Sequence, residues 1–184
     1  MIPVEYEGAS SAFLTDLPED MLLEKHFKLK ELSNTSGDPE LAQYVISDAS
    51  RAFNNMLESF RLYYGQPIAP TSGYRQAEYN KKIGGATNSL HLYACACDFV
   101  DKYKKDRWWM ISTWLRVLSE YESIGAVNLY DNGDGYYRYH VEAFSDSVLL
   151  YSASHVRIYN NSDDFEIANL LYKPLGYGVD YYGN

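Results

Sequence analysis

The chain contains few cysteines and no long apolar run, and each shortage excludes a class of protein. Cys95 and Cys97 are the two cysteines among 184 residues, and with one residue between them a disulfide would strain its geometry. The chain is therefore not a disulfide-stabilised secreted scaffold. No apolar stretch approaches the roughly 20 residues that a helix needs to cross a bilayer. Residues 1–7 lack the basic start and apolar run of a signal peptide, so we expect a soluble protein without a membrane span.

Basic residues are also scarce relative to acidic ones. The chain has 16 Lys and Arg against 25 Asp and Glu, which gives a formal net charge of −9. Nucleic-acid binding depends on clusters of Lys and Arg that contact phosphates. We therefore expect no nucleic-acid partner.

The chain has enough apolar residues to form one folded domain. Hydrophobic residues make up 46% of the sequence, and such a fraction can supply a core in a chain of this length. We expect a single domain over residues 1–184 and no second module.

Helix and strand signals divide the chain into an early helical part and a later part with strands. Asp38 followed by Pro39 is a typical helix start, and Gly65 is placed to end that helix. The predicted helices are 38–64, with a break near 47–48, and 106–121, whereas residues 1 to about 20 are predicted to be irregular. The predicted strands are 67–74, 92–100, 124–130 and 136–144, with a hairpin turn at 131–135, and a further strand pair around 148–159 with a turn at 160–161. This order indicates an α+β domain with helices packed on a small, mostly antiparallel sheet.

Three residues have the type and spacing of a zinc site. His91 and Asp98 are seven residues apart, and His140 follows in a later predicted strand. Two nitrogens and one carboxylate leave the fourth tetrahedral position of zinc free, and an open position is typical of a catalytic rather than a structural metal. The pattern therefore indicates a hydrolase that binds Zn²⁺.

The residues upstream of these three follow the order of a known family. Ser72-Gly73-Tyr74-Arg75 precedes Asn80 and the stretch Ile83-Gly84-Gly85-Ala86-Thr87-Asn88-Ser89-Leu90-His91. In this order the sequence resembles the zinc D-Ala-D-Ala carboxypeptidase and L-alanyl-D-glutamate peptidase family, related in fold to lysostaphin and the hedgehog signalling domain. The resemblance covers a peptidase-like core of about residues 22–144 and implies the hedgehog/D-Ala-D-Ala peptidase fold. It does not explain the tyrosine-rich C-terminal extension, residues 145–184.

The resemblance also implies the roles of several residues. The implied zinc ligands are His91, Asp98 and His140. Arg75 matches the family arginine that faces the substrate, where a guanidinium can stabilise an oxyanion or bind a carboxylate through two hydrogen bonds. The other expected substrate contacts are Ser72, Ser89 and Tyr130. For the two serines, hydrogen bonds within their own turns are the alternative role, and for Tyr130 the alternative is ordinary packing.

Alternation along the predicted strand 92–100 separates the cysteines from the ligand face. Asp98 shares its face with Ala96, whereas Cys95 and Cys97 point to the other face. A zinc site that used the cysteines would need that other face. Both cysteines are therefore interpreted as small, buried, apolar residues.

Glu142 is the candidate general base. Alternation places it on the same strand face as His140, where a carboxylate can take a proton from zinc-bound water. Some relatives carry an acid three residues before the last histidine, but Tyr137 stands there in this chain. Two alternatives stay open: Glu142 orients His140 through a hydrogen bond instead, and Asp134 in the hairpin turn is the second candidate for the base.

The expected activity is hydrolysis of peptide bonds in bacterial peptidoglycan, with stem or cross-link peptides as partners. Both D-Ala-D-Ala carboxypeptidase and L-Ala-D-Glu endopeptidase action fit the motif. The lack of a recognisable signal favours a phage-derived endolysin that stays in the cytoplasm until lysis, or a virion-associated enzyme. The alternative is a non-catalytic, zinc-containing module of the same fold that binds the cell wall or serves as a structural part of a virion. The sequence does not indicate an oligomeric state.

Overall fold

The structure is a computed structural model, and it describes residues 2–3, 12–35, 40–144 and 152–183. Within these residues the strands are β1 (Ile2–Pro3), β2 (Phe13–Pro18), β3 (Leu22–Glu24), β4 (Phe27–Lys28), β5 (Asn34–Thr35), β6 (Leu41–Ile46), β7 (Pro70–Ser72), β8 (Ala96–Val100), β9 (Ile124–Asp131), β10 (Tyr137–Phe144), β11 (His155–Tyr159) and β12 (Gly178–Tyr182). The α-helices are α1 (Leu29–Leu32), α2 (Asp48–Tyr64), α3 (Ala77–Lys82), α4 (Arg107–Glu120) and α5 (Ser162–Tyr172). Two 3₁₀ turns span Leu90–Tyr93 and Lys173–Leu175.

A six-stranded sheet carries most of the later part of the chain, with strand order β12, β11, β9, β10, β8, β7. The pairs β7–β8, β8–β10 and β10–β9 are antiparallel. Strand β11 is parallel to β9, and β12 is parallel to β11. Parallel neighbours need a crossover rather than a tight turn, and α5 provides it between β11 and β12.

Helices α2 and α4 cover one face of this sheet. Phe60 of α2 lies 5.9 Å from Phe99 of β8, measured between ring centroids, and Phe99 lies 5.4 Å from Tyr139 of β10. Side chains alternate along a strand. Asp98 and His140, each one residue from these rings, therefore lie on the opposite face of the sheet.

Helix α2 begins and ends at typical sequence signals. Ser47 caps it: its hydroxyl accepts a hydrogen bond from the Ser50 amide, and the Ser50 hydroxyl accepts one from the Ser47 amide, both at 3.0 Å. Gly65 ends the helix with a φ of 71°, in the left-handed region that glycine enters without strain. The apolar face of the helix is buried and consists of Phe53, Met56, Leu57, Phe60 and Tyr64.

The predictions for the N-terminal part are wrong in two places. Leu41–Ile46 was expected to be helical but is strand β6, and it pairs antiparallel with β2, which lies in the segment expected to be irregular. The first four side chains of β6 alternate between half-buried and buried positions, and cross-strand pairing overrides the helix-start signal at Asp38 and Pro39. Residues 36–39, which carry that signal, lie outside the described residues. Strands β1, β2, β6 and β5 form a separate four-stranded sheet.

Two later predictions also need correction. The strand expected over 92–100 begins only at Ala96, because the 3₁₀ turn Leu90–Tyr93 precedes it. Residues 160–161 do not close a hairpin, because the Asn161 side chain accepts a hydrogen bond from the Asp164 amide at 3.0 Å and so caps α5. The first part of the expected strand pair, up to residue 151, lies outside the described residues.

The α+β class is confirmed, and the sheet differs from the expected one. It is mixed rather than mostly antiparallel, and it is larger, because the C-terminal extension adds β11 and β12. The helix predicted over 106–121 is confirmed as Arg107–Glu120, and the strands predicted over 124–130 and 136–144 are confirmed as Ile124–Asp131 and Tyr137–Phe144. Across the described ranges no helix combines the length and the apolar character that crossing a membrane requires.

Candidate metal centre

A row of polar residues crosses the sheet face that lies opposite α2 and α4. Each strand contributes one residue, and the pairing register places each residue beside the next. From β7 to β12 the row is Ser72, Asp98, His140, Asn128, Arg157 and Asp180. Polar side chains in register across a sheet can share hydrogen bonds, and the candidate metal ligands lie within this row.

His91, Asp98 and His140 bring one ligand atom each to the same point. The Nε2 atom of His91 lies 3.2 Å from Oδ1 of Asp98 and 3.2 Å from Nδ1 of His140. The Nδ1 atom of His140 lies 2.7 Å from the same Asp98 oxygen. Zinc bonds of about 2.0 to 2.1 Å at tetrahedral angles place ligand atoms about 3.3 Å apart. The three atoms are therefore close to the spacing that one zinc ion requires.

His91 is held from its other ring nitrogen. Its Nδ1 lies 2.6 Å from the carbonyl oxygen of Gly73, so Nδ1–H donates there and Nε2 keeps a lone pair. Gly73 can make this contact because it has no side chain: a Cβ there would lie 2.5 Å from the carbonyl oxygen of Leu32. The backbone of Arg75 also donates to the His91 carbonyl at 3.0 Å. The Ser72 to Arg75 turn therefore fixes the first ligand.

His140 is held by an acid on its own strand. Its Nε2 lies 2.7 Å from Oε2 of Glu142, so the ring donates there, and in the neutral ring the lone pair falls on Nδ1, toward Asp98. The other oxygen of Glu142, Oε1, accepts a hydrogen bond from Nη1 of Arg157 at 2.8 Å. Glu142 thus lies beyond His140 as seen from Asp98, with both of its oxygens engaged.

The donor set requires a positive charge at its centre. Two nitrogen lone pairs and a carboxylate oxygen meet within 3.2 Å of one another, and they repel unless a cation or a proton lies between them. Burial lowers the pKa of His140, but its hydrogen bonds to Asp98 and Glu142 outweigh burial and raise the pKa to about 9. Burial raises the pKa of Asp98, yet the two histidines shift the pKa below its usual range. The site thus holds a proton strongly in the absence of metal, and its residues fit a divalent cation.

Arg75 contacts the remaining oxygen of Asp98. Its Nη2 donates to Oδ2 at 2.5 Å, and its Nε donates to the hydroxyl of Ser72 at 2.7 Å. A guanidinium has five N–H donors. Arg75 can therefore orient Asp98 while it keeps donors for a bound ligand.

Ser89 and Tyr130 each make a hydrogen bond close to the candidate ligands, but with different partners. The Ser89 hydroxyl accepts from the His91 amide at 3.4 Å and caps the 3₁₀ turn. Tyr130 follows Asn128 on the same strand face, and its hydroxyl accepts from the Asn128 side-chain amide at 3.1 Å. Its ring stacks on Tyr159 at 4.2 Å, and Tyr159 stacks on Tyr182 at 4.7 Å. Three tyrosine rings thus stand side by side from β9 to the sheet edge.

Asp134, the second candidate for the base, is engaged at the hairpin tip. Its Oδ2 accepts from Nη2 of Arg138 at 2.6 Å. The hydrogen bond from Arg138 lowers the pKa of Asp134 to about 2. Its contacts lie within the hairpin and do not include the ligand atoms.

The two cysteines are confirmed as buried, free thiols on the other face of the sheet. Burial raises the pKa of Cys95 to about 12 and the pKa of Cys97 well above its usual value. Thiols in this state do not supply thiolate ligands. The cysteines therefore play no part in the candidate metal centre.

Sequence reasoning missed Arg157 and Asn128. Arg157 lies between buried Val156 and Ile158, an alternation that predicts a strand with Arg157 on its polar face. Nothing in that alternation tells which strand would be its neighbour. Parallel pairing of β11 with β9 is a long-range contact, and it brings Arg157 beside Asn128.

The family comparison agrees with this arrangement. A profile described as Peptidase M15 matches residues 25–126, which include Arg75, His91 and Asp98 and end before His140. A comparison with curated protein sequences gives no match. Because the profile covers more than half of the 184 residues, the chain belongs to the Peptidase M15 family, the family of zinc D-Ala-D-Ala carboxypeptidases.

Proposed function

We propose that the protein is a zinc peptidase that hydrolyses peptide bonds in bacterial peptidoglycan. The observation that carries the proposal is the convergence of His91 Nε2, Asp98 Oδ1 and His140 Nδ1 within 3.2 Å of one another. Membership of Peptidase M15 supports the same conclusion. Three protein ligands leave a fourth position for water or substrate, as a catalytic zinc site requires.

The three ligand residues would hold the zinc, each backed by a second hydrogen bond. When bound, zinc polarises the scissile carbonyl and lowers the pKa of water at the open position. The backing contacts come from the Gly73 carbonyl, Glu142 and Arg75. Such contacts fix the ring orientation and raise the affinity of the ligands for metal.

Arg75 serves both the ligand set and the substrate. Two of its nitrogens engage Ser72 and Asp98, so the guanidinium is held beside the metal position. Its remaining donors face the developing oxyanion or a substrate carboxylate, where charge-assisted hydrogen bonds are strongest. Ser72 contributes by holding Arg75, and Ser89 by holding the turn that carries His91.

Glu142 orients His140 in this proposal rather than accepting the proton of water. Its two oxygens are engaged by His140 and Arg157, and it lies on the side of the imidazole that faces away from the ligand point. Burial raises the pKa of Glu142, but the hydrogen bond from His140 outweighs burial and lowers the pKa to about 2. Glu142 therefore stays ionised and accepts from the ring.

We propose endopeptidase action on stem peptides, between L-Ala and D-Glu. An endopeptidase binds substrate on both sides of the scissile bond. A cleft of about 490 Å³ lies on the β7 side, lined in part by Lys30, Ser72 and Tyr79. On the other side, Tyr130 begins the row of stacked tyrosines. We place this activity in cell-wall lysis by a phage, a setting that rests on the family resemblance alone.

A second candidate is a non-catalytic module of the same fold. The observation that favours it is the lack, among the described residues, of a carboxylate that contacts the ligand atoms and is free to accept a proton. Tyr137 occupies the position of the acid in some relatives, and Glu142 is fully engaged. Such a module would bind zinc and peptidoglycan without cleaving it.

Digestion of defined muropeptides with zinc-loaded protein, followed by mass spectrometry, tests the proposal. Release of a peptide that begins with D-Glu, with L-Ala left on the other fragment, is expected. Loss of a terminal D-Ala alone would indicate a carboxypeptidase. Retention of zinc with no product at all would favour the non-catalytic module, and His91→Ala serves as the metal-free control.

A further inference from the structure

We propose that Arg157, in the C-terminal extension, is a positioning residue of the metal centre. It lies in β11, beyond residues 25–126 that match the family profile. The inference rests on the proposed zinc site and adds that the extension completes this site. Arg157 acts by holding Glu142, which in turn holds His140.

The contacts form a short chain that ends at a metal ligand. Arg157 Nη1 donates to Glu142 Oε1 at 2.8 Å, and His140 Nε2 donates to Glu142 Oε2 at 2.7 Å. The side chains of Arg157 and Glu142 are 11% and 8% exposed. A carboxylate this deeply buried needs a cationic or hydrogen-bonding partner, because desolvation penalises an unpaired charge.

The strand register places Arg157 in the same row as His140. Arg157 pairs with Asn128 of β9, and Asn128 pairs with His140 of β10. A slip of one residue would place apolar Val156 or Ile158 there instead, because strand side chains alternate between faces. Arg157 Nη1 also lies 3.4 Å from Oδ1 of Asn128. The C-terminal extension thus places the guanidinium of Arg157 in the row that contains the ligands.

Loss of Arg157 would act through Glu142. Without the hydrogen bond from Arg157, Oε1 of Glu142 is no longer fixed, so the carboxylate can turn toward water and away from His140. The imidazole could then change its tautomer or rotate, so that Nδ1 no longer presents a lone pair to the metal. We therefore expect weaker metal binding even though Arg157 does not touch the metal position.

The test compares zinc affinity in two matched arginine variants of the full chain, measured by competition with a chromophoric chelator. Arg157→Met removes the cation, and Arg107→Met removes a similar pair, Arg107 with buried Asp164 at 2.8 Å, which does not contact the ligands. We expect about 10- to 100-fold weaker binding for Arg157→Met, the range for residues that orient metal ligands. Arg107→Met should leave zinc affinity within about threefold of the wild-type value, because its pair does not orient a metal ligand.

A double-mutant cycle separates positioning from general stability. Gln can still accept from Nε2 of His140 and needs no cation beside it. In a Glu142→Gln background, Arg157→Met should therefore weaken zinc binding by less than about threefold, a strongly non-additive result. Full additivity would overturn the proposal, because Arg157 would then act by a route other than Glu142.

A second variant, Arg157→Lys, keeps the test possible if Arg157→Met does not fold. Arg157→Lys keeps the charge but loses the planar fork and its fixed reach, and we expect about tenfold weaker binding. Visible absorption of the Co²⁺-loaded variant should also differ from that of the wild type. Wild-type affinity in whichever variant folds, or an equal loss in Arg107→Met, would overturn the role of Arg157. A wild-type chain that binds no zinc would contradict the proposed function instead.

Discussion

Each candidate ligand is fixed by a second hydrogen bond from a different part of the chain. His91 is held by the turn after β7, Asp98 by Arg75, and His140 by Glu142. A ligand held in this way loses little freedom when metal binds, because its rotamer and tautomer are already set. The three residues therefore differ from a chance cluster of polar side chains.

Removal of His91 should abolish tight zinc binding. Two ligands remain in His91→Ala, and the cavity left by the imidazole would admit water rather than a third protein ligand. Metal analysis of the purified protein should show about one zinc per wild-type chain, the stoichiometry of one three-ligand site, and only traces in His91→Ala. Cys97→Ala is the matched control on the opposite face, and loss of zinc from it would contradict the ligand set.

Replacement of Glu142 distinguishes an orienting role from a general base. In Glu142→Gln the neutral amide can still accept from His140, so we expect zinc affinity to fall by about tenfold or less. Turnover per bound zinc should fall much less than the roughly 10²- to 10⁴-fold loss that follows removal of a general base. Competition with a chromophoric chelator gives the zinc affinity, and rate measurements at saturating zinc give the turnover. Full zinc binding with a rate loss in that larger range would show that Glu142 is the base.

The buried thiols should resist alkylation. Burial raises the pKa of Cys95 to about 12, so at mildly alkaline pH almost no thiolate is present, and only the thiolate reacts. Mass spectrometry after iodoacetamide treatment should find neither cysteine modified in the folded protein and both modified in urea. Rapid labelling of the folded chain would contradict the burial of these residues.

Sequence reasoning named three residues that the structure brings together as candidate ligands, but it missed the residues that support them. The spacing of His91 and Asp98 together with the surrounding motif was sufficient, because the family pattern is local in sequence. Arg157 and Asn128 could not be found in the same way. Their position depends on which strands become neighbours, and that depends on contacts distant in sequence.

Secondary-structure elements place these residues through turns and strand register. Strand β8 carries Asp98 and strand β10 carries His140, and their antiparallel register sets the two side by side. The hairpin from β9 to β10 was predictable from its Asp-Asn-Gly-Asp-Gly turn. Strand β6 was not, because its pairing with β2 outweighs a local helix signal.

The contact between β7 and α1 should be sensitive to a single methyl group. Gly73→Ala would bring a Cβ to 2.5 Å from the Leu32 carbonyl, and relief of the clash would move the Gly73 carbonyl away from His91. We expect a loss of about 1 to 3 kcal/mol in unfolding free energy, typical of overpacking, together with weaker zinc binding by the folded fraction.

Urea titration and zinc competition measure the two effects of Gly73→Ala. The control is Gly133→Asn at the hairpin tip, where φ is 73° and no atom lies within 4 Å of the added Cβ. Asn enters this left-handed region more readily than most residues. Unchanged zinc affinity in Gly73→Ala would contradict the role assigned to the Gly73 carbonyl.

At the level of the whole molecule, the six-stranded sheet packs against helices on one face and carries the candidate metal ligands on the other. One face binds α2 and α4 through buried aromatic residues such as Phe60 and Phe99, and the other carries the polar row. The α+β class could be predicted from the order of helices and strands. The extent of the sheet could not, because β11 and β12 come from an extension that the family pattern does not describe.

The most direct test of the account is titration of the metal-free protein with zinc while peptide release from purified peptidoglycan is recorded. If His91, Asp98 and His140 hold one catalytic zinc, activity should be absent without metal, rise in proportion to added zinc, and level off at about one equivalent per chain. Activity that is independent of zinc would contradict the account. So would a chain that takes up one equivalent of zinc and releases no peptide.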